Sequence, residues 1–402
     1  RVRTDNTNRI RRYVIWSLNT TLAENAGPVE AIPDLSVFSE SDWTTLSNLA
    51  LNEGIAALIT ESLSWQPDDF PGELADAYYQ FLDQQRNENL QRTLAFVEVL
   101  KALHEKGVQT MPFKGPMLAE RTYGDGGLRG YWDFDFLFPR AQIQVLSEVL
   151  DGLGFDSNLP GTPKQDAAYW AYSGQAVYCR ENDKLALEPH WAFAPVTVAI
   201  DLDYEEIWRR SSRIDWHGID VNVLSPEDEF ISLAIHGGKE AWSKSKYLID
   251  MARFLKVHPT LDWDYIRAVA EAHGIERIIN LALTMMVETF DYFAAAEFPL
   301  RRNDPAIDKL VARIQASPVN IAPNIYFLKP YFMEVRERWR DKLKYVLRTV
   351  LTPRTAHFMT IRLPDSLFLL YTPFKVLYDG LVLPVWKFYK SIRSSNPDQP
   401  TV

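Results

Sequence analysis

Acidic and aromatic residues alternate through Asp133-Phe134-Asp135-Phe136-Leu137-Phe138, and this period of two constrains the fold more than any other feature of the chain. An extended strand puts Asp133 and Asp135 on one face and Phe134 and Phe136 on the other. The chain must therefore build a sheet with one apolar face to cover and one face that carries charge. Two neighbouring carboxylates repel each other unless a cation lies between them, which is the usual arrangement for holding Mg²⁺. The competing reading of a lone D-x-D is a solvated strand edge.

Around this strand the periodicity is helical. Apolar residues recur at helical spacing from Trp43 to Leu58 and from Leu74 to Leu103, so residues 1–107 are read as an N-terminal helical region with one long helix from Pro71 to Gly107. Residues 108–260 form the expected core: a strand in VQTMPF, a loop and helix, the acidic strand, and a helix in AQIQVLSEVLDGLGF. The segments 168–179 and 184–192 flank the polar RENDK as a hairpin, and RIDWHGIDVNVL forms a second hairpin turning at His217 and Gly218. Ser225-Pro226-Glu227-Asp228 is a helix start, and helices should continue to about residue 317. Residues 261–395 form a C-terminal helical region, and 396–402 are expected to be a disordered tail. The fold class is α+β, a small mixed sheet embraced by helical regions.

A third acid, Glu188, lies in the apolar run Leu185-Ala186-Leu187-Glu188-Pro189-His190-Trp191, and a strand there could lie beside Asp133 and Asp135. Three acids on adjacent strands suit two metal ions engaged in phosphoryl transfer. Upstream, Met111-Pro112-Phe113 runs into Lys114-Gly115-Pro116, a strand end whose lysine and backbone amides suit triphosphate oxygens. His190 shares a strand face with Glu188, where it could hydrogen-bond a ligand carboxylate or accept a proton; a buried structural histidine is the alternative.

The pattern FKGPMLAERTYGDGGLRGYWDFDFLF, followed by LEPHW and LAIHGGKEAWSKSKYLIDMARFL, resembles the bacterial nucleotidyltransferase family with the motifs K-G-x-x-L, Y, R, D-x-D and D/E-x-H-W, a branch of the DNA polymerase beta-like superfamily. The resemblance spans residues 95–260. It implies metal-dependent transfer of a nucleoside monophosphate from a nucleoside triphosphate to an acceptor, releasing pyrophosphate. Gly115 would mark the strand-glycine turn, Asp133 and Asp135 the paired ligands of Mg²⁺ (two ions, or Mn²⁺), and Glu188 the third acid. Arg129 would bind phosphate or brace the carboxylates, its alternative being a structural ion pair with a loop acid. Lys239 or Lys246 would reach the triphosphate, against a reading in which these lysines form a solvated face. Pro116 departs from the small Gly-Ser pair common in the superfamily and offers no amide hydrogen.

Composition narrows the partners. A net charge of −10 disfavours general nucleic-acid binding, leaving a small molecule, a sugar or a peptide as acceptor. The single Cys179 fits a reducing compartment, so the cytoplasm is expected. No secretion signal is read near the first residues and no stretch is apolar enough to span a membrane, although basic and aromatic residues from Arg338 to Tyr378 could contact a membrane surface; packed helices are the favoured reading there. Gly124, Gly126, Gly127 and Gly130 do not form a dinucleotide fingerprint and are read as a flexible loop over the site. The runner-up for the whole chain is a catalytically inactive binding module of the same fold.

Overall fold

The structure, a computed structural model, describes residues 2–23, 38–62, 72–293, 296–316 and 330–384. The expected tail at 396–402 lies outside the described residues.

Helices α1 (Val2–Ala23), α2 (Glu40–Glu53), α3 (Ala56–Ser62) and α4 (Gly72–Glu105) come first. Ser39 and Asp42 cap α2 reciprocally, each side chain accepting from the other's backbone amide. Next come β1 (Met111–Pro112), the short helix α5 (Gly115–Leu118), β2 (Asp133–Leu137), α6 (Ile143–Gly152), β3 (Asp156–Ser157), α7 (Pro163–Tyr172), β4 (Tyr178–Arg180) and β5 (Leu185–His190). The five strands form one sheet in the order β1-β2-β5-β4-β3; β2 and β5 are parallel and the other neighbours antiparallel.

Phe134, Phe136, Leu185 and Leu187 are fully buried on one face of this sheet, where the Phe96 ring of α4 lies 4.9 Å from Phe134 and 5.9 Å from Phe136. Burying each such phenylalanine contributes about 2 kcal/mol. The alternation in the sequence is thereby explained: the aromatics face α4, which leaves the acids on the opposite side.

One expectation is corrected. Residues 168–172 are helical, not strand, because Thr162 caps α7 by accepting from the Gln165 amide and Pro163 opens its first turn. Tyr169 and Tyr172 are buried one helical turn apart. Tyr178–Arg180 pairs with β5 as a hairpin, and Gln175 makes an isolated antiparallel bridge to His190.

Beyond the sheet lie α8 (Tyr204–Arg210), the hairpin of β6 (Ser212–Trp216) and β7 (Ile219–Val223), then α9 (Pro226–Lys239), α10 (Ser245–Val257), α11 (Trp263–His273), α12 (Glu276–Thr289) and α13 (Pro305–Ala316). The hairpin turns at His217 and Gly218 as expected. Ser225 caps α9 by accepting from the Asp228 amide, with Pro226 at the first position and acids in the first turn. The last described helices are α14 (Pro330–Glu334), α15 (Trp339–Leu351), α16 (Thr355–Thr360) and α17 (Tyr371–Leu377). Among the described residues no helix is long and apolar enough to cross a membrane.

Candidate active site

Parallel pairing of β2 with β5 sets Asp135 directly opposite Glu188, with Asp133 opposite Ala186 and Leu137 opposite His190. Because side chains alternate along both strands, Asp133, Asp135, Glu188 and His190 share one face of the sheet. A carboxylate oxygen each from Asp135 and Glu188 and a ring nitrogen of His190 lie within 4.8 Å of one another, so the three could hold a metal ion.

The two aspartates have different surroundings. Asp135 is 4% exposed, and its Oδ1 accepts from Lys114 Nζ at 2.7 Å and from His190 Nε2 at 2.8 Å. Burial alone would raise its pKa, but Lys114 and His190 outweigh this and hold it far below the usual carboxylate range. Asp133 is partly exposed, and no hydrogen bond to its side chain is found among the described residues. Burial raises its pKa, and the charges of Asp135 and Glu188 push it further in the same direction. Glu188, whose side chain is 20% exposed, accepts from Gln175 Nε2 at 2.6 Å and lies 3.7 Å from His190 Nε2.

Lys114 and Gly115 form the strand-end turn. Both have positive φ, 49° and 43°. A side chain at Gly115 would stand 3.3 Å from the Asp133 carbonyl, so close approach as well as φ favours glycine there. Lys114 is buried, which opposes its charge, yet Asp135 and Asp133 hold it protonated. Arg129 packs its guanidinium on Asp250 of α10 through two hydrogen bonds of 2.9 Å and reaches the Gly115 carbonyl at 3.4 Å. Tyr123 donates to the same Asp250 at 2.6 Å. Arg129 is therefore in an ion pair behind the turn, but its partner is a helical acid and not the loop acid expected.

Lys239 and Lys246 do not form a solvated face. Lys239 has a side chain only 16% exposed, and its nearest acid is Glu240 at 3.9 Å. Lys246 forms no salt bridge to a described acid. Burial, then the charge of Lys114, lowers the pKa of Lys239; burial, then Arg129, lowers that of Lys246. The neighbouring His236 is driven well below its usual value by burial and by Lys114 and Lys239. The chain turns tightly between these lysines because Trp242 packs on Gly237, where a Cβ would fall 2.3 Å from the indole ring.

The glycine loop read as flexible is tied to α4. Gln85 donates to the Gly127 carbonyl at 2.6 Å, Asn89 to Gly126 at 2.7 Å, and Arg86 pairs with Asp125 at 2.7 Å. Two further site contacts, Gln175 on Glu188 and Asp250 on Arg129, had no assigned part in the sequence reading. Gln175 sits in a segment read as strand, and Asp250 looks like any helical acid.

The donor set could hold a metal ion: two carboxylates and an imidazole converge, and the like charge pressing on Asp133 is of the kind a cation relieves. Residues 39–291 match a protein family described as an uncharacterised nucleotidyltransferase. No curated protein and no solved structure matches the chain.

Proposed function

The chain belongs to that uncharacterised nucleotidyltransferase family, and on this premise we propose that it transfers a nucleoside monophosphate from a nucleoside triphosphate to a small-molecule, sugar or peptide acceptor, releasing pyrophosphate. The observation that carries the reading is the register of β2 on β5, which gathers three carboxylates and His190 on one sheet face, with the half-buried Lys239 and Lys246 within electrostatic reach of those acids.

In this reading Asp133, Asp135, Glu188 and His190 hold Mg²⁺, as one or two ions, or Mn²⁺. Bound there, the metal supplies positive charge to the triphosphate and acidifies the acceptor group. Glu188, oriented by Gln175, takes the proton from the attacking hydroxyl or amine. The acceptor oxygen or nitrogen bonds to the α-phosphorus as the bond to the bridging oxygen of pyrophosphate breaks. Lys239 and Lys246 bind the leaving phosphates, and an anion at that place favours the charged form, which burial disfavours in both. Lys114 adds its charge from the strand-end turn, and Arg129 holds that turn through Gly115.

The 2.7 Å Lys114–Asp135 pair favours a second reading, a non-catalytic module of the same fold, because it already neutralises one of the proposed metal ligands. Calorimetric titration of each of the four ribonucleoside triphosphates, with and without Mg²⁺, separates the two. Transfer chemistry requires metal-dependent binding that weakens at least tenfold in Lys239→Ala/Lys246→Ala, the loss of about 1.4 kcal/mol. Metal-independent binding of a ligand would favour the module.

A further inference from the structure

The C-terminal helices turn apolar side chains outward. Of twenty-one large hydrophobic residues exposed among the described residues, thirteen fall between Trp339 and Val382, so this is a concentrated surface and not the usual scatter. On α15 the buried positions are Asp341, Tyr345 and Thr349. The opposite side presents Trp339, Leu343, Leu347 and Leu351 at successive four-residue steps, with Trp339 76% exposed. α17 packs beside α15, and Leu377 at its end and Leu381 just beyond it are also exposed.

Charge marks out the occupant. Residues 339–384 hold seven Lys and Arg (340, 342, 344, 348, 354, 362, 375) against three acids (341, 365, 379), in a chain whose net charge is −10. Each acid is engaged internally: Asp341 faces Arg336, Asp365 accepts from Thr162 and Lys164, and Asp379 pairs with Lys375 and His357; of the cations, Lys344 and Arg348 pair with Asp201, and Arg354 and Lys375 are buried. Arg340, Lys342 and Arg362 form no salt bridge to a described acid. Steps of 100° per residue place Arg340 on one border of the outward stripe and Lys342 on the other. A second copy of the chain docked on this face would bring these cations against their own equivalents. An anionic lipid surface receives the leucines and Trp339 at the acyl boundary while the cations on both borders reach headgroup phosphates.

We infer that α15 and the helices after it form a peripheral docking face for membranes carrying anionic lipids, so that the protein works at a lipid surface. The inference rests on this surface alone and is independent of the chemistry at the acidic site. The test is flotation of the full chain with vesicles of phosphatidylcholine alone and of phosphatidylcholine with phosphatidylglycerol. Binding is expected to the anionic vesicles, weakened by salt and abolished in Leu343→Glu/Leu347→Glu. Arg340→Gln/Lys342→Gln should weaken it about fivefold for each cation removed. Both pairs are surface positions, and unchanged thermal midpoints would show that the variants fold. Absence of flotation with anionic vesicles would overturn the inference. So would equal flotation with both vesicle types, or a Leu343-dependent dimer in sedimentation that leaves vesicles unbound.

Discussion

Asp133 and Asp135 are one residue apart on β2, yet their removal should have opposite consequences. Asp135 is the acceptor for a buried lysine and a buried histidine, so Asp135→Asn leaves Lys114 short of its counter-charge and should cost about 3–5 kcal/mol in a denaturant titration. Asp133 has no such partner and is pressed by two like charges, so Asp133→Asn should leave the thermal midpoint unchanged or slightly higher while removing metal-dependent nucleotide binding. A large loss of stability in Asp133→Asn would contradict the surroundings assigned to it. The acids, His190 and the strand-end turn were legible in the sequence because alternation and spacing report which face a strand residue occupies. The partners were not: Gln175 and Asp250 reach the site across 13 and 121 residues of chain, and no local pattern encodes such a contact.

At the level of elements, the same alternation that exposes the acids buries Phe134 against Phe96. Phe134→Ala should cost about 3–5 kcal/mol and disturb the acidic face with it. The helix starts were readable from their caps, at α9 above all. α7 was misread because its aromatic run satisfies a strand as well as a helix, and the deciding signal, Thr162 followed by Pro163, lies before the run.

The outer helices also carry a pH dependence. Burial would raise Asp201, but Arg348 and Lys344 on α15 outweigh it and hold it below the usual carboxylate range; Asp379 is held low in the same way by Lys375 and His357. A carboxylate with a depressed folded pKa stabilises above its unfolded value and loses that contribution as pH falls through the folded one. Acidification below about pH 4 should therefore loosen α15 to α17, seen as faster limited proteolysis there. Asp201→Asn should flatten part of that dependence.

For the whole molecule, two surfaces of contrasting chemistry sit on one chain. The acidic sheet face is within electrostatic reach of Lys239 of α9 and Lys246 of α10, and the basic, apolar face lies on the last helices. The sequence carried the composition of both, but the outward direction of the α15 leucines depends on which side of that helix meets Tyr345's neighbours, which is a property of packing. The central claim is that the β2–β5 face holds a divalent cation shared with a nucleotide. Titrating Mn²⁺ into the protein and following the free ion by electron paramagnetic resonance tests this most directly. Mn²⁺ should be taken up by the native chain, more tightly with nucleoside triphosphate present, and not by Asp133→Asn; uptake that is equal in the two proteins, or absent from both with nucleotide present, would contradict a cation site on this face.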